Sequence, residues 1–195
     1  MKRKSGFTIL EVVLVLAIAG IIFLMAFLAL PSLWSSERDA ARRANVMAYI
    51  SAIKNYQTNN SRGALPVLSG NGPEKFTMDE IIANPASGSW KAFVKDYIGN
   101  DFEDPAGVKY NFYIVKCASA SGTDIDTGAV CAYQDKPFGA ANNPNDPNLA
   151  SGTDYNLYTV IGATCQDDYA VKTNSSRSVA TVYIMERAGR YCYNT

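Results

Sequence analysis

The chain has 195 residues, 18 basic and 18 acidic side chains, four cysteines and no histidine. Without histidine it lacks the commonest general base and the commonest zinc ligand. A chain with no net charge also lacks the excess of basic residues that general nucleic-acid binding needs. Its length suffices for one domain with a hydrophobic core plus a helical stalk.

The N-terminus joins a short basic segment to a membrane-length apolar run. Residues 2–4 are Lys-Arg-Lys, Gly6 and Phe7 follow, and residues 12–30 carry no charge or strongly polar group. Glu11 is a single acid at the start of this apolar segment. An ionised acid in a bilayer is costly, by about 2.5–3.5 kcal/mol at the bilayer centre. Cleavage between Gly6 and Phe7 would create a partner for it, the α-amino group of Phe7. Phe7 and Glu11 are four residues apart and share one helix face, and a neighbouring copy could equally supply its amine.

The alternative interpretation of this segment is a plain signal anchor or a secretory signal peptide. The run is longer than the roughly 7–15-residue apolar region of a secretory signal, and no clean Ala-x-Ala site ends it. We therefore favour a role for Glu11 beyond anchoring. The basic head also predicts a cytoplasmic N-terminus and a translocated remainder.

The stretch Lys-Arg-Lys-Ser-Gly-Phe-Thr-Ile-Leu-Glu-Val-Val resembles the class III leader and mature start of type IV pilins and pseudopilins. The resemblance implies that a prepilin peptidase cuts after Gly6 and methylates the amine of Phe7. It implies that Glu11 pairs with the Phe7 amine of another subunit, and that the helix from Phe7 forms the core of a filament. Gly20 matches a glycine common in that helix, Pro31 loosely matches its proline, and a helix kink is expected at these two residues.

The implied function is that of a structural subunit of a type IV pilus or related filament, without catalysis or a cofactor. Its partners would be further copies of itself, other pilins, the prepilin peptidase and an inner-membrane assembly platform. The precursor would cross the cytoplasmic membrane once, with a cytoplasmic N-terminus, and the assembled subunit would belong to an extracellular or periplasmic filament.

Two other classes of function remain to be weighed. A minor pilin or pseudopilin could act as a binding or priming module in a secretion or DNA-uptake machine, and only in DNA uptake would nucleic acid be a partner. A membrane-tethered enzyme is disfavoured, since the chain has no Gly-x-Ser-x-Gly motif and no convincing acid pair.

Residues 7 to about 60 are predicted to form one long helix with two different halves. The first half is apolar on all sides and suits a bilayer or a filament core. The second half is amphipathic, because Val46, Ile50 and Ile53 recur at three- and four-residue steps and need a sheet to cover. The second half also carries a short basic cluster, which we interpret as a solvated helix face, with contact to anionic headgroups or to acids of a neighbouring subunit as the alternative: Arg38, Arg42 and Arg43.

Residues 61–103 are predicted to be a connecting segment with two short helices. Thr77 and Glu80 form a capping-box pattern at the first, and Ser87 or Ser89 caps the second. The second helix gathers aromatic residues on one face, which we interpret as core. A turn of sequence Asp-Pro-Ala-Gly follows at residues 104–107.

Residues 104–195 are rich in β-branched and aromatic residues, which predicts strands at 108–115, 129–133, 155–161, 179–185 and 190–193. Their alternation favours an antiparallel meander with one face on the helix. The predicted fold class is α+β and pilin-like, a long N-terminal helix packed on a C-terminal antiparallel sheet. The predicted divisions are a leader (1–6), a transmembrane or filament-core helix (7–31) and a globular domain (32–195), itself divided into 32–60, 61–103 and 104–195.

The four cysteines, Cys117, Cys131, Cys165 and Cys192, all lie in the part predicted to be exported. An even number there predicts two disulfides, with three pairings open. Order along the chain favours Cys117–Cys131 and Cys165–Cys192, because each pair brackets a turn-rich segment between strands. Cys-x-x-Cys spacing is absent, so no zinc site is expected.

Polar loops separate the predicted strands. Residues 139–152 have the composition of an exposed irregular loop. Asp124 and Asp126 could offer oxygens to calcium, but the downstream acid of such a loop is missing, so we favour a plain turn there and at residues 167–168. Asn174 begins a triplet that fits a glycosylation site by pattern only.

Overall fold

The protein, described from a computed structural model, combines one long helix with a small β-sheet domain. The description covers residues 8–69, 74–81, 85–118, 124–133, 136–137, 155–185 and 189–195. The chain divides into two compact units, Met1–Glu37 and Arg38–Thr195. The helix α1 (Ile9–Asn59) is 51 residues long and supplies residues to both units.

In the first unit, α1 exposes its apolar side chains on every side. Its most apolar window has a mean hydropathy of 3.1 and no buried residue, so it is long and apolar enough to cross a membrane. Leu28, for example, is 81% exposed. A helix that is apolar all round belongs in lipid or in a packed core. The helix continues through Gly20 and Pro31, and the kink at these two residues stays a prediction.

The described part of the second unit contains the strands β1 (Glu74–Thr77), β2 (Asn111–Lys116), β3 (Ala132–Tyr133), β4 (Lys136–Pro137), β5 (Asn156–Ile161), β6 (Ala163–Gln166), β7 (Tyr169–Lys172), β8 (Val179–Ile184) and β9 (Arg190–Asn194). Five of these strands form one sheet in the spatial order β1-β2-β5-β8-β9. The strands β3 and β4 form a separate antiparallel pair, and β6 and β7 form a short hairpin. The predicted α+β, pilin-like fold class is therefore confirmed.

The prediction of a wholly antiparallel sheet within residues 104–195 is wrong in two respects. Strands β2 and β5 pair in parallel, with Asn111 opposite Asn156, whereas the other pairs of the sheet are antiparallel. A parallel pair needs a long crossover connection, and the long stretch between β2 and β5 provides one. The edge strand β1 comes from the segment predicted to be a connector, because Phe76 buries its ring against Phe112 of β2.

Two short helices, α2 (Met78–Ile81) and α3 (Trp90–Phe93), occupy the places of the two predicted in the connecting segment. The Ser89 hydroxyl oxygen accepts a hydrogen bond from the Ala92 N–H at 3.2 Å, so Ser89 rather than Ser87 caps α3. A single π-helical turn (Val94–Ile98) continues α3. Trp90 is buried completely, as expected of core aromatics.

The main core lies between the second part of α1 and one face of the sheet. The predicted stripe is confirmed, since Val46, Ile50 and Ile53 are fully buried. Tyr49 joins them and accepts a hydrogen bond from the Thr159 hydroxyl of β5 at 3.1 Å. Burial raises the pKa of Tyr49 well above its ordinary value, so it stays a neutral core residue.

A second, smaller core covers the opposite face of the sheet. It contains Val115, Val160 and Val182 of the sheet together with Ala163 and Ala170 of the β6–β7 hairpin. Because β8 is covered on both faces, the five consecutive residues from Val179 to Tyr183 are all buried, and the strand loses the alternation of a half-exposed strand.

Candidate functional site

The first site is the start of α1, where Thr8 and Glu11 cap the helix reciprocally. The Glu11 carboxylate oxygen Oε2 accepts hydrogen bonds from the backbone N–H and the hydroxyl of Thr8, both at 2.9 Å. In return, the Glu11 N–H donates to the Thr8 hydroxyl oxygen at 3.3 Å. This is the capping box of a Thr-x-x-Glu sequence. The pattern was visible in the sequence but was not recognised there.

The cap leaves part of the Glu11 carboxylate open. Both bonds from Thr8 end on Oε2, and no residue in the described part of the chain donates to Oε1. The residue is solvent-exposed, and the apolar side chains that follow it on α1 are exposed as well. The start of the helix therefore presents one oriented carboxylate beside an uncovered apolar surface.

The other residues predicted at this site can be placed only in part. Gly6 and Phe7 lie outside the described residues. Gly20 faces open space, because a Cβ built on it would meet no atom within 4 Å. Pro31 lies inside α1, and the Ser35 hydroxyl donates to its carbonyl oxygen at 3.3 Å.

The second site is a buried ion pair in the Arg38–Thr195 unit. Asp104 and Arg42 are each 2% exposed, and the Arg42 guanidinium donates to both carboxylate oxygens of Asp104, Nε to Oδ2 at 2.7 Å and Nη2 to Oδ1 at 3.0 Å. The Ala106 N–H and the Tyr183 hydroxyl also donate to this carboxylate, at 2.9 Å each. The pair joins α1 to the turn before β2 and to β8.

This arrangement corrects the interpretation of Arg42 as part of a solvated helix face. Its guanidinium also contacts Asp39 at 3.1 Å, so two acids share it. Burial alone would raise the pKa of Asp104, but the hydrogen bonds from Arg42, Ala106 and Tyr183 outweigh burial and hold that pKa below its usual value. Arg43, one residue on, keeps an exposed position with its guanidinium 5.5 Å from the Tyr191 ring centre.

Two disulfides brace the second core. Cys117 is bonded to Cys131, and Cys165 is bonded to Cys192, which are the pairs that chain order favours. The second bond ties the β6–β7 hairpin to the edge strand β9. A disulfide restricts mainly the unfolded chain and so stabilises a small folded domain.

The acidic loop considered for calcium has a different partner. The ammonium group of Lys172 forms an ion pair with the Asp124 carboxylate. Within the described ranges, no group of three or more metal-binding side chains gathers. The acids at 167–168 form the tight turn of the β6–β7 hairpin, where Asp167 adopts a positive φ of 54° that aspartate tolerates.

Asn174, which begins the glycosylation triplet, is exposed, and its side-chain oxygen accepts a hydrogen bond from the Thr127 hydroxyl at 2.6 Å.

The fold and the first site together define an α+β protein whose N-terminal helix is long and apolar enough to anchor a precursor in a membrane, with a carboxylate at its start. Comparison with protein families finds the prokaryotic N-terminal methylation motif at residues 1–27. The chain thus carries a class III prepilin leader, the N-terminal signature of type IV pilins and pseudopilins, which is a structural and not an enzymatic motif. Neither a curated protein nor a solved structure matches the chain.

Proposed function

We propose that the protein is a structural subunit of a type IV pilus or related filament. The observation that carries the proposal is the methylation motif at residues 1–27, which coincides with an uncovered apolar helix and an exposed carboxylate at its start. The apolar first part of α1, none of which is buried in the most apolar window, requires another partner, and side-by-side packing with further copies would supply it.

In the proposed mechanism, a prepilin peptidase removes residues 1–6 and methylates the new amine of Phe7. That amine is positively charged, and it lies one residue before the Thr8 cap of α1. The Glu11 carboxylate, oriented by Thr8 through Oε2, keeps Oε1 for the Phe7 amine of a neighbouring subunit. Pairing removes the cost of an isolated carboxylate in apolar surroundings, so each added subunit is placed by the match between its own amine and an acid in the filament.

The precursor waits in the cytoplasmic membrane with its N-terminus in the cytoplasm, and the assembly platform there extracts it into an extracellular or periplasmic filament. The same leader also serves minor pilins and pseudopilins of secretion or DNA-uptake machines. The two disulfides suit this second candidate, because they tie the segments that they bracket to the second core and would hold contact loops in place. Electron microscopy of sheared filaments, with mass spectrometry of their bulk component, distinguishes a major subunit from a minor one.

The decisive experiment separates the charge of Glu11 from its capping role. Glu11→Gln removes the charge but keeps the side-chain oxygen and the length of a capping-box residue. Glu11→Ala removes both. In a host that supplies the processing and assembly machinery, we expect both variants to lose their leader normally and to form no filaments, as judged by immunoblot and by electron microscopy of sheared fractions.

A matched control is Glu37→Gln, the same substitution on the same helix beyond the apolar run, which should assemble like the wild type. Filaments of Glu11→Gln as abundant as those of the wild type would refute the pairing with the Phe7 amine. If only Glu11→Ala failed to assemble, the residue would act as a helix cap and not as a charge.

A further inference from the structure

The uncharged part of α1 ends at a residue of distinct chemistry. No residue between Glu11 and Glu37 is charged, and Trp34 is the one residue between them that joins a large apolar ring to an N–H donor. Its side chain is 59% exposed, and no described residue accepts a hydrogen bond from the indole. Tryptophan is enriched at the boundary between lipid chains and headgroups, where the ring meets hydrocarbon and the N–H meets polar groups.

The spacing of Glu11 and Trp34 matches the thickness of a bilayer. At 1.5 Å per residue, they are about 35 Å apart along the helix axis. The hydrocarbon core of a bilayer is about 30 Å thick, so an upright helix places both residues just beyond its two surfaces. An alternative register that centred residues 12–36 would carry Ser35 and Ser36 about 2 Å closer to the hydrocarbon and expose Val12 and Val13 at the other end.

The serine hydroxyls in the turn that follows Trp34 are hydrogen-bonded within the helix. The Ser35 hydroxyl donates to the carbonyl oxygens of Pro31 and Ser32, at 3.3 and 3.1 Å, and the Ser36 hydroxyl donates to that of Ser32 at 3.0 Å. Hydroxyls that bond back to their own helix leave no unpaired donor near lipid, and Ser35 is in addition buried by the protein itself. Glu37 then begins the water-facing part.

We infer that Trp34 contacts the headgroup boundary of the membrane opposite Glu11, and that Glu11–Trp34 is the bilayer-spanning segment of the precursor. Pro31 then lies about 5 Å inside that boundary. Glu11 lies at the other boundary, where its carboxylate stays hydrated instead of entering the bilayer centre. The inference concerns the precursor before assembly and does not depend on the filament role.

The chain itself supplies the means to test this placement, because it contains two tryptophans and Trp90 is fully buried in the main core. The full-length precursor is reconstituted in vesicles of phosphatidylethanolamine and phosphatidylglycerol that contain lipids brominated at different depths. Subtracting the emission of Trp34→Phe from that of the wild type isolates the Trp34 signal. Trp34→Phe alone, which retains Trp90, should show no depth-dependent quenching.

We expect bromines near the carbonyl end of the acyl chains to quench Trp34 at least about twofold more than bromines at the chain ends. Stronger quenching by chain-end bromines would place Trp34 within the hydrocarbon and overturn the inference. Quenching by aqueous acrylamide without quenching by any brominated lipid would place it in water and overturn the inference equally. Both readouts are independent of filament formation, so a failure of the assembly experiment leaves this one interpretable.

Discussion

Replacing Arg42 by methionine should remove the cation of the buried ion pair while keeping a long flexible stem. In the wild type, both carboxylate oxygens of Asp104 face the Arg42 guanidinium, with the shorter contact at 2.7 Å. In the variant, Asp104 remains almost fully buried and keeps only the hydrogen bonds from Ala106 and from tyrosine hydroxyls. Asp104 is thereby left in the core without its cation, and Asp39 loses its contact with Arg42 as well.

Breaking a buried ion pair by removing one partner costs about 3–5 kcal/mol of folding free energy. For a unit the size of Arg38–Thr195, each kcal/mol lowers the melting temperature by about 2–4 °C, so we expect a decrease of about 6–20 °C. The double variant Arg42→Met with Asp104→Asn should recover part of this loss, because asparagine can still accept from the Ala106 N–H but carries no charge.

The loss of folding free energy in Arg42→Met should depend on pH, and its direction follows from the pKa of Asp104. In the wild type, the folded state lowers the pKa of Asp104, so this residue contributes stability above its unfolded pKa of about 3.9 that is lost as the pH falls through the folded value. Without Arg42, burial should raise the folded pKa above the unfolded one, and the penalty should diminish as the pH falls through it. The difference in unfolding free energy between the two proteins should therefore shrink from about pH 7 to about pH 4.5.

The measurement is thermal unfolding of the full chain in detergent micelles, followed by circular dichroism with the disulfides intact. Arg43→Met is the matched control, since its guanidinium is exposed and lies 5.5 Å from the Tyr191 ring centre. We expect it to cost no more than about 1 kcal/mol. A loss for Arg42→Met no larger than that of Arg43→Met, or one that does not change with pH, would refute this account of the pair.

Three further predictions concern processing, disulfides and a helix cap. Gly6→Val should leave an uncleaved membrane precursor, and mass spectrometry of the mature wild-type protein should find Phe7 as its first residue; any other N-terminus would contradict the leader. Non-reducing peptide mapping should recover the two predicted disulfides, and a Cys131–Cys165 link would refute the pairing. Ser89→Ala should lower the unfolding free energy by about 1 kcal/mol in the thermal assay, whereas an unchanged melting temperature would show that the α3 cap contributes nothing.

Much of the architecture could be predicted because its signals are local. The stripe of Val46, Ile50 and Ile53 follows the helical period, and these residues are buried as that period requires. The strand β1 was missed because Glu74–Thr77 is short and follows no clear alternation. It joins the sheet through contacts of Phe76 with a strand more than thirty residues later in the chain, and local composition does not report such contacts.

The two sites also differ in whether neighbouring residues predict them. The sequence draws attention to Glu11 because a single acid beside an apolar run is unusual, and the Thr8 cap follows from the local Thr-x-x-Glu pattern. Arg42 looked like one of three surface arginines. Helical spacing places Arg42 nearer than Arg43 to the middle of the buried stripe, but its partner Asp104 lies 62 residues away, and no local pattern predicts that contact.

The sequence by itself determined the leader, the apolar helix and the acid at its start, because charge, length and order along the chain are properties of neighbouring residues. The tertiary structure alone decided the parallel pairing of β2 with β5, the second core beneath the β6–β7 hairpin, and the burial of Arg42 against Asp104. Each of these depends on which distant segments meet, and that is settled by the packing of the whole domain.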